Sequence, residues 1–203
     1  DMIAKEAGLV IENPEAIKHV NMAFLKADPI SVNDPGNFIR HRIPDQHLSP
    51  EINQQKIKPD IVCTWKHIKV SRETLILRPK ILYIGIGCNR GTPVSDIFEL
   101  IQQTFHSHGL DTNSIAAIGT TIVKSDEQGI LDLSEKLNRP VEFYEKDQLN
   151  SVQAIENPSE MAKKYLGVNS VCEAAAILGA QGGRLILPKK KTKDVTLAVA
   201  LAE

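Results

Sequence analysis

The sequence predicts an α/β protein: a three-layer α/β/α domain with a mixed, largely parallel sheet over residues 81–203, preceded by a small loop-rich middle segment. Three observations carry that expectation. "ILYIGIG" (81–87) is a near-continuous apolar run, the texture of a strand buried on both faces of a parallel sheet. Strand-like and helix-like periodicities then alternate as far as the last residue, which is how a layered α/β domain reads. By contrast "DPISVNDPGNFIRHRIPDQHLSPEINQQKIKP" (28–59) is proline-rich, polar and aperiodic, as a linker or bridging module would be.

Taken in order, "DMIAKEAG" reads as the end of a helix with Gly8 as its C-cap. A second helix starts at Asn13, with Pro14 in its first turn, and turns Ile17, Val20 and Phe24 to one side. "DIVCTW" (60–65) and "ETLILRP" (73–79) are short strands. After "ILYIGIG" comes a helix expected to start with Thr92 as N-cap and Pro93 at N1, its core face formed by Val94, Ile97, Ile101 and Phe105. "SIAAIGTTIV" is the next strand. It leads to a helix whose capping box would be Ser125 and Gln128, with Ile130, Leu133 and Leu137 inward. "RPVEFYE" is a third strand, "NPSEMAKKYLG" a short helix, and "NSVCEAAAILG" another, with Ser170 and Glu173 at capping-box spacing. "RLILPKKKTKDVTLAVALA" reads as two strands joined by a basic turn.

Composition excludes several classes. The net charge is −1, so bulk electrostatics favour neither nucleic acid nor an acidic membrane face. Three cysteines, far apart and without a C-x-x-C pair, argue against a disulfide framework or zinc knuckle and for a reducing compartment. No apolar run approaches the ~18 residues a membrane span needs, and no histidine spacing suggests a metal site.

The chemistry lies in the turns, because ligands of parallel sheets sit at strand carboxyl ends where helix N-termini converge. In "GIGCNRGT", Gly85, Gly87 and Gly91 allow close backbone approach, and Arg90 adds charge. The turn is open to two readings, a tight structural connection or an anion site. It is neither a P-loop nor a dinucleotide fingerprint. In "GTTIVKSDEQG", Thr120, Thr121 and Lys124 stand beside Asp126 and Glu127. The acids offset a helix dipole without any further role. Lys124 opposes that dipole, which favours an anion there. Cys88 and Cys172 lie near helix starts, where a thiolate is favoured; as small buried apolar residues they would need no reactivity. The run Lys189, Lys190, Lys191 and Lys193 reads as a solvated hairpin tip or a rim for a polyanion.

Four stretches, "YIGIGCNRGTP", "IGTTIVKSDEQGI", "NPSEMAKKYLGVNSVCEAAAI" and "GGRLILPKKKTKDVTLAVA", together resemble the cobalamin biosynthesis G proteins, cobalt-precorrin-5A hydrolases of the anaerobic vitamin B12 pathway. The likeness covers 81–203 as that family's C-terminal domain, also similar to the E protein of the aerobic pathway. It implies that 27–80 is the middle segment and that 1–26 are the last helices of an N-terminal domain. Asn89 departs from the pattern, which puts a second basic residue beside Arg90.

The resemblance implies a cytoplasmic enzyme that opens the δ-lactone of a cobalt-corrinoid with loss of acetaldehyde, giving cobalt-precorrin-5B. The cobalt arrives with the substrate, so no cofactor or protein-bound metal is implied. The partners are that polycarboxylate intermediate, other cobalamin-pathway enzymes at hand-over, and a second copy of the chain; nucleic acid and membrane are not among them. Substrate carboxylates would meet Gly85, Gly87, Cys88, Asn89, Arg90, Gly91, Thr92, Thr120, Thr121 and Lys189. Glu127 first and Asp126 second would activate water, and Lys124 would steady the oxyanion. The alternatives are a non-catalytic carrier of a corrinoid intermediate and, third, a generic phosphate or nucleotide binder.

Overall fold

The computed structural model describes residues 2–49 and 58–203. The chain divides into two compact units, one of residues up to Lys80 with Gly109–Ser114, the other Ile81–His108 with Ile115–Glu203.

In the first unit, α1 (Met2–Glu6) ends at Gly8, whose positive φ lets Leu9 N–H reach back to the Ala4 carbonyl. Strands β1 (Val10–Ile11), β2 (Val32–Asn33), β3 (Ile61–Cys63) and β4 (Leu75–Arg78) form a sheet ordered β1-β4-β3-β2. β2, β3 and β4 are parallel neighbours, and β1 is antiparallel to β4. Ala4, Leu9, Ala16 and Val20, the last in helix α2 (Ile17–Lys26), share one core with Ile30, Ile61, Leu75 and Leu77. A division at residues 26/27 therefore does not occur in this core, and 28–49 is tied into it through Ile30, Ile39 and Ile43. Residues 50–57 of the expected linker lie outside the described residues. Asn13 stands at the N-cap of the 3-10 turn Pro14–Ala16 that leads into α2, but its side chain makes no cap bond; the amide instead brackets β4, donating to Thr74 O and accepting from Ile76 N–H. Arg78 is fully buried and meets Glu12, Asp111 (3.1 Å) and the Thr64 carbonyl.

The second unit is the three-layer α/β domain. Its sheet is ordered β7-β6-β5-β9-β8, from β5 (Leu82–Cys88), β6 (Ile115–Thr121), β7 (Val141–Tyr144), β8 (Arg184–Lys191) and β9 (Val195–Leu201). β5, β6 and β7 are parallel; β9 pairs antiparallel with β5 and β8. Helices α3 (Val94–Ser107) and α4 (Gln128–Leu137) connect the parallel strands and bury Ile97, Ile101, Phe105, Ile130 and Leu133. After β7 come α5 (Lys146–Ser151), which sequence periodicity did not reveal, α6 (Glu160–Leu166) and α7 (Val171–Gly179).

Helix α7 is apolar on nearly every side and rich in alanine, and it packs on β5, β6 and β9. The contact is close enough that a Cβ at residue 85 would lie 1.8 Å from the Cys172 carbonyl oxygen. Two expected caps are displaced. α3 begins at Val94 with Pro93 before it, and the Thr92 hydroxyl donates to Asn89 O instead. α4 begins after Glu127, and neither Ser125 nor Gln128 forms a box. Lys189, Lys190 and Lys191 lie within β8 and not at a hairpin tip; Pro188 is tolerated because β8 is an edge strand. No helix is long and apolar enough to cross a membrane among the described residues.

Candidate functional site

The carboxyl ends of β5 and β6, the start of α7, helix α6 and the β8–β9 hairpin surround an open cavity of about 950 Å³ in the second unit. It sits where a parallel sheet places ligands.

The β5 turn is a closed piece of structure. Thr92 Oγ1 bridges back to Asn89 O (2.9 Å), and Asn89 is bound through its N–H (2.9 Å) and Nδ2 (2.8 Å) to Asp194 between β8 and β9. Gly91 takes φ +74°, which only glycine adopts freely, and its N–H donates to Glu127 Oε1 at 2.8 Å. Gly87, Cys88, Asn89 and Arg90 line the cavity. Gly85 does not; the approach of α7 explains it. Gly91 and the buried Thr92 shape the turn from behind.

The β6 turn supplies the charge. Lys124 Nζ lies 3.1 Å from Glu127 Oε2, both largely buried. Arg90 donates to Asp126 Oδ1 (2.6 Å) and Val123 O (3.0 Å), and stands 3.8 Å from Glu127. Its hydrogen bond holds the Asp126 carboxyl below the ordinary range. The four charged side chains singled out from sequence are thus brought together as two interlocked ion pairs. Lys124 and Arg90 reach the cavity; Asp126 faces solvent at 72 % side-chain exposure and Glu127 sits behind at 4 %. Thr120 and Thr121 are buried in the cavity floor, Thr120 Oγ1 donating to Ile86 O.

At the third turn Ser170 caps α7, accepting from the Glu173 N–H (3.4 Å). Glu173 does not complete a box. Fully buried, its Oε1 accepts from Lys189 N–H (2.8 Å) and Asn157 Nδ2 (3.0 Å), its Oε2 from the Glu156 (2.8 Å) and Asn157 (3.0 Å) N–H groups. Burial pushes this carboxyl up, but the donors from Asn157, Lys189 and Glu156 outweigh it and hold it below its ordinary value. Lys189 Nζ is spent on Asn157 O (2.7 Å) and Pro158 O (2.9 Å), so it braces the loop before α6.

Neither near-turn cysteine is activated. Burial raises the Cys88 thiol against the opposing pull of Lys124, and burial likewise raises Cys172. Sequence reasoning missed Met161 and Tyr165 on α6 and the cavity-facing Thr196. The i, i+4 apolar pair in a polar seven-residue helix was the available signal. Among the described residues no group of three or more His, Cys, Asp or Glu is placed to hold a metal ion.

Residues 82–200 match the family described as "Cobalamin synthesis G C-terminus", and residues 1–79 match "Cobalamin biosynthesis central region". A cobalt-precorrin-5A hydrolase of Priestia megaterium is 31 % identical over 99 % of this chain and 57 % of its own length. The chain therefore spans little more than half of that relative. The crystal structure of CobE, a protein from the cobalamin (vitamin B12) biosynthetic pathway, is 32 % identical over 62 % of this chain and 92 % of its own, with a TM-score of 0.58. A putative cobalamin biosynthesis protein G homolog from Sulfolobus solfataricus shares the fold over the whole chain and 60 % of its own, at 20 % identity and a TM-score of 0.51.

Proposed function

Since the chain belongs to the cobalamin synthesis G family, we propose that it binds cobalt-precorrin-5A in the cavity at the β5 and β6 turns and carries the groups that open its δ-lactone. The observation that supports this most is the Lys124–Glu127 pair at the cavity wall, a cation held 3.1 Å from a buried carboxylate. When the lactone oxygen draws Lys124 Nζ away as negative charge develops on it, Glu127 Oε2 is freed to accept a proton from water. Hydroxide adds to the lactone carbonyl, the ring C–O bond breaks, and the proton passes to the departing oxygen. Glu127, again a carboxylate, then takes the hydroxyl proton, the carbon–carbon bond to the macrocycle breaks with its electron pair kept by the conjugated ring, and that carbon leaves with its methyl group as acetaldehyde. Arg90 binds a peripheral carboxylate by exchanging Asp126 for it. Asp126, thereby released, is the second candidate for the base.

The test is acetaldehyde release from cobalt-precorrin-5A by this chain, with the Priestia megaterium relative as positive control. Release above the uncatalysed rate is expected. Tight binding without release would favour the second reading, a carrier for a corrinoid intermediate. The two bonds of Glu127, to Gly91 N–H and Lys124 Nζ, are what favour that alternative.

A further inference from the structure

Helix α6 is too short to form alone, since isolated helices below roughly 12 residues are marginal in water. It is held at both ends. Glu173 binds the loop before it, Lys189 Nζ grips Asn157 O and Pro158 O, and Asn150 Nδ2 donates to Gly167 O (3.0 Å) just after it. Ala162 and Leu166 pack inward against Leu149, Val168 and Val171. Beside them, along the same cavity wall, stand two large apolar side chains one turn apart, Met161 at 63 % exposure and Tyr165 at 67 %. Singly exposed apolar residues need no explanation, but an adjacent pair fixed at a cavity wall does.

The same cavity has a charged rim. Arg90 and Lys124 are matched by Asp126 and Glu127, and Lys189 is committed to carbonyl oxygens. Lys191 and Lys193 also line it, exposed, and no hydrogen bond or ion pair holds either side chain among the described residues. An apolar wall and a row of uncommitted ammonium groups suit a ligand with a flat hydrophobic face and an anionic edge.

We propose that recognition is divided between two walls: Met161 and Tyr165 carry the face of a planar polycarboxylate macrocycle, and Lys191 and Lys193 meet the carboxylates on its edge. This rests on the tetrapyrrole reading above and adds to it residues that take no part in lactone opening. Glu173 is a positioning residue in this scheme, because it sets α6 at the cavity wall without touching the ligand.

Uroporphyrin, an octacarboxylate porphyrin that has no lactone, is the probe, with its fluorescence followed at about 0.05 M and 0.3 M salt. The wild-type chain is expected to bind it. Met161→Ser/Tyr165→Ser is expected to weaken binding about tenfold at both salt concentrations. Lys191→Gln/Lys193→Gln should weaken it chiefly at low salt, flattening the salt dependence. All four side chains are exposed, so melting curves should show the fold intact. No binding of uroporphyrin, or wild-type affinity in the Met161/Tyr165 variant, overturns the proposal. Acetaldehyde assays separate it from the hydrolase reading. Two-walled binding without acetaldehyde release sinks the hydrolase and keeps the cavity, whereas wild-type release by the Met161/Tyr165 variant sinks the cavity and keeps the hydrolase.

Discussion

Glu127 Oε1 accepts the Gly91 backbone N–H at 2.8 Å, so one buried carboxylate ties the turn after β5 to the start of α4. Its other oxygen holds Lys124. Glu127→Gln keeps an acceptor for Gly91 and removes the proton-accepting charge. As a general base, its loss should lower acetaldehyde release by about a hundredfold or more. A fall within about threefold would leave Glu127 only a structural part.

Glu173 links α7, β8 and the 156–157 loop through four donors, two on each oxygen. Glu173→Gln places an NH₂ against two of those donors whichever way it turns, at a cost of about 1–3 kcal/mol. The pH dependence follows from the lowered pKa. A depressed carboxyl contributes stability above its unfolded value of about 4.3, and that contribution drains away as pH falls through the lower folded value. The melting-temperature gap between wild type and Glu173→Gln should therefore be widest near neutrality and close below about pH 4. A gap constant with pH would show that Glu173 is not ionised in the fold.

Cys88 and Cys172 are raised by burial, and Cys63, against Asp34 as well, is pushed up to about 12. In the native chain at about pH 7.5 all should alkylate with iodoacetamide more slowly than glutathione, and all should label once the chain is unfolded. Fast native labelling of Cys88 would restore it as a nucleophile candidate.

Gly85 and Gly91 belong to one motif and answer to different constraints. Gly85→Ala must push α7 off the sheet and should cost about 1–3 kcal/mol or more in urea unfolding. Gly91→Ala meets open space and bears only its positive φ, about 1–2 kcal/mol. The reverse order would mean that α7 yields more readily than the turn.

Arg78 is 0 % exposed beside Glu12 and Asp111 in the first unit. Arg78→Met should destabilise that unit by about 3–5 kcal/mol, because it strands a buried carboxylate. Adding Asp111→Asn should recover part of the loss; no recovery would show that the two do not act as a pair.

The second unit was largely legible because its signals are local. Apolar runs and glycine turns placed β5, β6, β7, α3, α4, α7 and the final hairpin, and Ser170 capped α7 as expected, although the caps of α3 and α4 fell elsewhere; the turns after β5 and β6 were already marked by Arg90 and Lys124. The first unit was legible only in part: the helix end at Gly8, helix α2 and the strands β3 and β4 were marked in the sequence, but β1 and β2 were not. Those two strands are two residues long and take their partners from far along the chain, β1 from β4 and β2 from β3, so no periodicity announces them, nor does any announce Asn13 on the backbone of Thr74 and Ile76.

By itself the sequence determined the layered class, the turns where charge gathers and the family resemblance, since each depends on residue type and short spacing. Only the tertiary structure decided which charges are spent and which remain. It paired Lys124 with Glu127 and Arg90 with Asp126, committed Lys189 to carbonyl oxygens, and turned Met161 and Tyr165 toward the cavity. Apart from the local pair of Lys124 and Glu127, three residues apart, those outcomes depend on how distant backbone segments meet, and hydrogen-bond donors and acceptors tens of residues apart leave no pattern in the order of the chain.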